Sequence, residues 1–512
     1  MRLSHFLAYA AAMMAALGAL PVAAQNPLAE TVSGRVEGRS ENGQSVFRGI
    51  PFAAPPVGPL RWRPPQAPAP WNGVRDAGKF GNVCPQRLGD GEYSLKDVPM
   101  GEDCLTLNIW SPDMRPGAKL PVMVWIHGGS FRIGAGGVPL YDGGALAKRG
   151  AVIVTLNYRL GLLGIFAHPA LAKEQPGAPR ANYAIMDQIA ALQWVRDNIA
   201  RFGGDPGRVT IFGESAGGVS VLLHMISPAS RGLFAQAIVE SGGGWTASPT
   251  LKRGEEIAEK AGELLGAKDL AALRAIPADR LVDALAKVSP GLGYSAVIDG
   301  KIVPESIPTA FLARHEVKVP LLIGSNSYEQ SLMAAGGAAP ASMVALVPPA
   351  LLPRTRAVYG GEGQDDTVLG GNLFRDGGFS GPARWLARIN IGPGYYYRFA
   401  HLRVTRRGKT PGPGHGAEIL FVFDSLDAMG PGASGMFADQ DRAMARVIGD
   451  CWVSFAKTGV PECGGTQWQT ASKARGNVML FDQGAASFVD DAWRPRLDHL
   501  ERLYLPLLSP RR

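Results

Sequence analysis

Short apolar runs rich in β-branched residues alternate along this chain with segments of helical period, and this alternation restricts the fold more than any other feature. The apolar runs lie at 122–126, 151–156, 209–212, 237–239, 319–323, 395–399 and 478–481. The clearest helical segment begins after Asn182 and is expected to end near Gly203 and Gly204. Five of its apolar residues share one helical stripe: Ile185, Ile189, Leu192, Val195 and Ile199. Strands that alternate with helices predict an α/β fold with a mainly parallel sheet covered by helices on both faces.

Two stretches differ from this alternation and predict insertions over the sheet. Residues 250–315 are rich in Ala, Leu, Lys and Glu and have helical character, whereas residues 335–365 are rich in Pro, Gly and Ala. No internal repeat is visible, and no linker separates two folding units. We therefore predict that residues 25–512 form a single α/β domain with helical cap insertions.

The composition argues against two broad classes of protein. Apolar residues make up 46% of the 512 residues, which is enough for a sizeable core and excludes wholesale disorder. The formal net charge of +8 could suggest a nucleic-acid partner. However, Lys and Arg never form a block of five or six, and the longest basic runs are pairs such as Arg406-Arg407 and Arg511-Arg512. We interpret the charge as general surface charge and predict no nucleic-acid partner.

Residues 1–24 have the pattern of a cleavable signal peptide. Arg2 precedes an apolar run at 6–20, and small residues follow Pro21 up to Ala24. The run is shorter than the roughly 20 residues that span a bilayer. We therefore predict export to the periplasm or the medium without stable membrane insertion, with an uncleaved membrane anchor as the alternative.

Four cysteines allow three disulfide pairings in an exported protein. Cys84 and Cys104 bracket a polar loop and are good partners. Cys451 lies on a segment of helical period that is expected to stop at Gly459, so a return of the chain to bring Cys463 beside it is possible but tight. Free thiols remain the alternative for this second pair. The spacings match no zinc pattern, so we predict no metal site.

The sequence Gly-Glu-Ser-Ala-Gly at 213–217 matches the G-x-S-x-G pattern of a nucleophilic serine. The pattern alone is weak in a glycine-rich chain, but here it follows a predicted strand and opens a predicted helix. A turn of this kind holds the central side chain out at the carboxyl edge of the sheet, where ligands bind in such folds. Ser215 is therefore the candidate nucleophile.

A serine nucleophile needs a base, and in this arrangement the base follows the serine in the chain. His415 lies in a Pro/Gly-rich loop after a predicted strand, where an imidazole can project over the sheet edge. We favour it over His315, His401 and His499, since the last two are expected to lie in regular structure.

The base in turn needs a carboxylate that orients it. Glu329 lies directly after the run at 319–323, which is the right kind of position. Asp299, Glu305 and Asp376 remain rivals on the sequence alone.

Acyl transfer also needs backbone donors directed at the oxyanion. The sequence His-Gly-Gly-Ser-Phe at 127–131 follows the strand predicted at 121–126. Amides of this loop, together with that of Ala216, are the candidate donors.

In combination these motifs resemble the type-B carboxylesterase family of the α/β-hydrolase superfamily, the group that includes the cholinesterases. The resemblance extends from about residue 30 to beyond 480 and includes several motifs in the right order. These motifs are FRGIPFA at 47–53, EDCLTLN at 102–108, VWIHGG at 124–129, NYR at 157–159, FGGD at 202–205, FGESAGG at 212–218 and HGAE at 415–418. The resemblance implies the α/β-hydrolase fold and a serine hydrolase that needs no cofactor.

The resemblance also implies roles for individual residues. It makes Ser215 the nucleophile, Glu329 the acid and His415 the base, and it places the oxyanion donors at Gly129, Ser130 and Ala216. It pairs Cys84 with Cys104 and implies that Glu214 and Ser241 support the histidine. Ser130 departs from the more usual third glycine of the oxyanion loop, which keeps the backbone donor but adds a side chain beside the acyl group.

The implied function is that of a general exported carboxylesterase acting on small-molecule esters. Cholinesterases hold a tryptophan in the loop that Cys84 and Cys104 bracket, whereas here the only aromatic residue in that loop is Tyr93. Specialised hydrolysis of polyesters, lactones or polycarboxylate esters is an alternative. A non-catalytic binding module of the same fold is another, and the oligomeric state is left open.

Overall fold

The computed structural model describes residues 25–508 except 88–97, 246–247, 292, 336, 338, 362, 430–434 and 475. The predicted signal peptide at 1–24 and the aromatic side chain of Tyr93 therefore lie outside the described residues.

The strands fall into one large sheet and two small ones. They are β1 (Leu28–Thr31), β2 (Gly34–Glu37), β3 (Arg39–Glu41), β4 (Gln44–Pro51), β5 (Val74–Asp76), β6 (Thr106–Ser111), β7 (Leu120–Ile126), β8 (Val152–Leu156), β9 (Ile165–Phe166), β10 (Ala181–Asn182), β11 (Gly204–Glu214), β12 (Gln236–Glu240), β13 (Leu321–Asn326), β14 (Gly394–Phe399), β15 (Asn477–Asp482) and β16 (Ala485–Asp490). Within the described residues the large sheet has eleven strands in the order β16-β15-β14-β13-β12-β11-β7-β8-β6-β4-β3.

The middle of the large sheet is parallel. All neighbours from β8 through β7, β11, β12, β13 and β14 to β15 pair in parallel, whereas β16 at one edge and β6, β4 and β3 at the other pair antiparallel. Each of the seven apolar runs predicted as strands falls in or overlaps one of these parallel strands. The prediction of a mainly parallel sheet is confirmed.

The α-helices flank this sheet and form the insertions. They are α1 (Gly144–Ala147), α2 (Gly161–Gly164), α3 (Pro169–Glu174), α4 (Tyr183–Asn198), α5 (Ala216–Ile226), α6 (Leu251–Leu265), α7 (Leu270–Ala275), α8 (Ala278–Val288), α9 (Ile307–Ala313), α10 (Ser331–Ala335), α11 (Leu352–Tyr359), α12 (Asp366–Arg375), α13 (Gly381–Ile389), α14 (Ile419–Val422), α15 (Asp439–Thr458) and α16 (Arg494–Leu508). A π-helical turn at Asp376–Ser380 joins α12 to α13.

The helix predicted after Asn182 is α4, and the stripe of apolar residues that predicted it is buried. A 3-10 turn at Ile199–Phe202 extends the helix to Gly203, which ends it in the left-handed conformation at φ 83°. The predicted stop at this glycine is confirmed.

The stretch predicted as a helical insertion contains α6, α7, α8 and α9, and we refer to α6–α8 with the following loop to residue 297 as the cap. Buried apolar residues on α6 and α8, among them Ile257, Leu281 and Leu285, face the rest of the protein. The second predicted insertion contains 3-10 turns at Pro340–Leu346 and Pro349–Leu351 followed by α11.

Both predicted cysteine pairs are joined in the structure. Disulfides link Cys84 to Cys104 and Cys451 to Cys463, with Cα atoms 5.1 and 4.7 Å apart. Helix α15 ends at Thr458, one residue before Gly459, and the chain then turns back to bring Cys463 beside Cys451. The alternative of free thiols at this pair is wrong. Across residues 25–508, leaving aside the gaps given above, no helix is both long and apolar enough to cross a bilayer.

Replacing Gly203 with alanine is expected to destabilise the fold. A Cβ at this position would lie 1.8 Å from the carbonyl oxygen of Asp113, in a backbone conformation that already disfavours a side chain. We expect Gly203→Ala to lower the free energy of unfolding by about 3 kcal/mol, the left-handed strain plus the overpacking.

Gly266→Ala is the matched control, because Gly266 ends α6 at φ 68° but has no atom within 4 Å of the added Cβ. It should cost only about 1 kcal/mol, the strain alone. Calorimetry measures the thermal unfolding of both variants. Equal losses in the free energy of unfolding would show that the close approach to Asp113 does not contribute to the effect.

Candidate active site

Ser215 occupies the sharp turn between β11, which ends at Glu214, and α5, which begins at Ala216. Its backbone has φ 55° and ψ −122°, a conformation that non-glycine residues rarely adopt. The turn therefore has the strained strand-to-helix geometry that the sequence predicts for a nucleophilic serine.

The small residues of the motif allow this turn to pack against the end of the neighbouring strand β7. A Cβ on Gly217 would lie 1.9 Å from the carbonyl oxygen of Ile126, and a Cβ on Gly213 would lie 2.5 Å from the same atom. A Cβ on Gly128 would lie 3.1 Å from Cβ of Ser215. Glycine at these positions therefore brings the loop after β7 into direct contact with the serine.

The structure brings Glu329 and His415 together across 86 residues of sequence. Nδ1 of His415 lies 2.6 Å from Oε2 of the completely buried Glu329. The other oxygen of Glu329 accepts hydrogen bonds from Ser241 Oγ at 2.5 Å and from the amide of Asn326 at 2.7 Å. The amide of His415 donates to Ser331 Oγ at 2.9 Å, which holds the histidine loop in place.

The rival histidines have other partners. His315 is exposed and pairs with Glu305 at 2.6 Å. His401 is buried and lies 2.9 Å from Asp441, and His499 lies against a threonine hydroxyl. None of the three lies against the serine turn.

The rival carboxylates also have other partners. Asp299 accepts three backbone amides of its own loop, including that of Lys301 at 3.0 Å. Asp376 lies between Arg375 at 2.6 Å and Arg496 at 3.0 Å. These pairings leave Glu329, of the four candidates, as the one beside His415.

The second nitrogen of His415 faces the serine turn and lies beside Glu214, the residue that precedes Ser215. Nε2 lies 3.1 Å from Glu214 Oε1, in a geometry that is not a hydrogen bond. Within the described part of the chain, no hydrogen bond joins His415 to Ser215 Oγ. In enzymes without substrate such bonds are often long and shorten only when substrate binds.

Buried carboxylates set the charge state of this histidine. Burial opposes a charged imidazole, but the carboxylates of Glu214 and Glu329 outweigh this effect and raise the pKa of His415 to about 10. Burial likewise raises the pKa of Glu214 to about 7, against the lowering effect of His415. The imidazole of His415 and the carboxyl group of Glu214 are therefore competing sites for a proton beside the serine turn.

The oxyanion loop has an unusual backbone. Gly129, Ser130 and Phe131 have φ of 97°, 56° and 57°, so two consecutive non-glycine residues adopt the left-handed conformation. Across the described residues, no acceptor takes a hydrogen bond from the amides of Gly129, Ser130 or Ala216. Amides without partners beside a serine turn are what an oxyanion site requires.

Several residues near His415 were not identified from the sequence. Glu418 is buried and accepts a hydrogen bond from the side chain of Asn326, which also donates to the carbonyl of Gly414 at 2.8 Å. Phe379, on the π-helical turn, has its ring 5.3 Å from the imidazole. Glu418 lies inside a recognised motif and could have been suspected, whereas no local pattern points to Phe379.

Comparison with known proteins identifies the family. The family model described as "Carboxylesterase family" matches residues 25–345 and 368–494. This chain belongs to the carboxylesterase family. The enzyme is 37% identical over 500 residues to the fumonisin B1 esterase of Sphingopyxis macrogoltabida, which covers 92% of this chain and 89% of that protein. It is 35% identical over 475 residues to the para-nitrobenzyl esterase of Bacillus subtilis, and the match covers 88% of this chain and 94% of that protein.

Solved structures show the same fold. A PNB esterase superimposes with a TM-score of 0.79 at 32% identity, covering 92% of this enzyme and 100% of that chain. The carboxylesterase of Geobacillus stearothermophilus gives a TM-score of 0.79 at 32% identity, with 92% and 99% covered. The enzyme therefore has the predicted α/β-hydrolase fold and is a carboxylic-ester hydrolase.

Replacing Glu214 with glutamine should move the pH dependence of activity. The variant removes the carboxylate that raises the pKa of His415, so the imidazole loses its proton at lower pH. We expect the acidic limb of the profile of kcat/KM against pH to move down by about 1 unit or more.

Glu305→Gln serves as the control, because Glu305 pairs with the exposed His315 and has no contact with the site. Its acidic limb should stay in place. A Glu214→Gln profile that coincides with that of the unchanged enzyme would contradict the role given to Glu214.

Proposed function

We propose that Ser215 is the nucleophile of this esterase, His415 its general base and Glu329 the carboxylate that orients the base. The observation that carries the proposal is the 2.6 Å contact between Glu329 and Nδ1 of His415, a histidine whose other nitrogen faces the serine turn. Ser241 and Asn326 hold Glu329 in this position.

In the proposed mechanism, Ser215 Oγ attacks the ester carbonyl carbon while His415 Nε2 takes the hydroxyl proton. The alcohol then leaves with that proton, and the acyl group stays on the serine. Water attacks the carbonyl carbon of the acyl-enzyme and gives a proton to the same nitrogen. The bond from that carbon to Ser215 Oγ then breaks, His415 returns the proton to Oγ, and the acid leaves. Glu329 stays in contact with Nδ1 throughout and stabilises the imidazolium that forms at each step.

The amides of Gly129, Ser130 and Ala216 are the proposed donors to the oxyanion. The amino end of α5 lies directly behind Ser215 and adds a favourable field for developing negative charge. Loss of one such donor typically costs about 3 kcal/mol of transition-state stabilisation. The side chain of Ser130, where relatives more usually have glycine, is expected to narrow the acyl side of the site.

The proposed substrates are uncharged or weakly charged carboxylic esters with apolar acyl or alcohol parts. Relatives named for such activity include a para-nitrobenzyl esterase and a cocaine esterase. Every step uses groups of the chain itself, so the proposal includes no cofactor or metal. The comparisons do not favour a non-catalytic binding module or a specialised hydrolase of polyesters, lactones or polycarboxylate esters.

We also propose that residues 1–24 direct export and are removed, and that residues 25–512 then act as one catalytic unit. The two disulfides support an oxidising compartment. The mass of the protein recovered from the periplasm or the medium tests the cleavage site.

Replacing Ser215 with alanine should abolish turnover of p-nitrophenyl esters, with a loss of about 10⁴-fold or more. In the unchanged enzyme a serine-directed phosphonate should add one adduct, located on Ser215 by mass spectrometry. The length profile over a series of acyl chains then describes the acyl pocket.

Ser342→Ala is the matched control, since Ser342 lies on an exposed 3-10 turn and its hydroxyl donates to the carbonyl of Ala339 at 2.7 Å. This variant should keep both turnover and labelling. An adduct on another residue, or turnover that survives in Ser215→Ala, would refute the proposed mechanism.

A further inference from the structure

The oxyanion loop adopts a conformation that its own sequence does not favour. Ser130 and Phe131 both have left-handed backbone, a conformation that costs free energy at a non-glycine residue. The turn is closed by the amides of Arg132 and Ile133, which donate to the carbonyl of Gly129 at 2.9 and 3.1 Å. Strained backbone persists only where the surrounding structure holds it, so the contacts of this loop identify what holds it.

The side chain of Arg132 extends from the end of this loop to the cap. Its Nη2 donates a hydrogen bond to the carbonyl of Ser289, the residue that ends α8. The negative end of a helix dipole favours a cation at this position. The guanidinium carbon also lies 5.2 Å from the ring centroid of Tyr294, in the loop that follows α8.

Tyr294 returns these contacts to the oxyanion loop. The ring is only 4% exposed, and its hydroxyl donates to the carbonyl of Ile165 and lies 3.1 Å from that of Gly161. The amide of Gly161 in turn donates to the carbonyl of Phe131 at 2.7 Å. The contacts form a closed circuit from the oxyanion loop through α2 and Tyr294 to Arg132 and back.

An ion pair does not account for the position of Arg132. Among the residues that the structure describes, no carboxylate lies within 4.0 Å of its guanidinium. The side chain is half-buried, and its Nε has no hydrogen-bond partner there. Partial burial of the guanidinium costs free energy, and two contacts offset this cost. One is with the carboxyl end of α8 and the other with the face of the Tyr294 ring, and both belong to the cap.

We propose that Arg132 and Tyr294 are positioning residues that keep the amides of Gly129 and Ser130 directed at the oxyanion. They do so by fixing the strained loop to the cap, so the cap contributes to transition-state stabilisation. The inference rests on the proposed role of these amides. Donors that are displaced by an ångström lose much of their catalytic effect.

Kinetics of Arg132→Met and Tyr294→Phe test this inference. On a neutral p-nitrophenyl ester each variant should lose about tenfold in kcat, with KM unchanged within about twofold, because only the transition state carries the oxyanion. Inhibition by a trifluoromethyl ketone, which forms a tetrahedral adduct, should weaken by the same factor as kcat. The double variant should lose little more than either single variant, since the two residues act as a unit.

Two further variants separate positioning from general support of the cap. Arg132→Lys keeps a cation over Tyr294 and a donor to Ser289, and should recover most of the lost kcat. Arg87→Met is the matched control, because Arg87 also contacts α8. It forms an exposed ion pair with Asp283 on that helix, with Nη2 and Oδ1 2.7 Å apart. Its kcat should stay within about twofold of the unchanged enzyme. Thermal unfolding midpoints confirm that each variant is folded.

Two outcomes would overturn the inference. A rise in KM with kcat unchanged in Arg132→Met would make the arginine a substrate-binding residue, and equal losses in Arg132→Met and Arg87→Met would show general loosening of the cap. Phosphonate labelling of Ser215 in the unchanged enzyme keeps this test separate from the proposed function. If Ser215 labels and Ser215→Ala is inactive, the triad proposal stands whatever the Arg132 variants show.

Discussion

The geometry of the site depends on how closely the serine turn approaches the end of strand β7. The absence of side chains at Gly213 and Gly217 lets the turn lie against the carbonyl of Ile126, which no larger residue would allow. This contact places the loop after β7 beside Ser215, so the proposed nucleophile and the proposed oxyanion donors come together at one sheet edge. The parallel pairing of β7 with β11, of β11 with β12 and of β12 with β13 brings the loop carrying Glu329 to that edge as well.

Negative charge is concentrated around a single histidine. Glu418 is buried nearby, but burial raises its pKa well above the usual range and so favours its neutral form. Glu329 contacts one nitrogen of His415, and Glu214 lies beside the other. Such a set stabilises an imidazolium strongly, which favours the charged intermediate state and disfavours the free base. Burial of Glu214 moderates this effect, because a protonated Glu214 no longer attracts the imidazolium proton.

The cap and the sheet hold different parts of the site in place. The proposed reacting groups lie on short turns at the sheet edge, and the register of the strands fixes the positions of these turns. The oxyanion loop after β7 contains two residues with strained backbone, Ser130 and Phe131, whose conformation strand register does not fix. The circuit through Tyr294 and Arg132 makes this loop dependent on the cap.

The sequence alone determined the parallel strands, the end of α4 at Gly203, the serine turn and the family, since periodicity and motifs of contiguous residues carry this information. The local pattern left Glu329 with three rival carboxylates, because any of them could be a surface residue, and only the family resemblance favoured it. Only the tertiary structure placed Glu329 against His415 and gave the rivals other partners. It alone revealed Phe379 and the pairing of Arg132 with Tyr294, because these contacts join residues far apart in sequence and leave no local pattern.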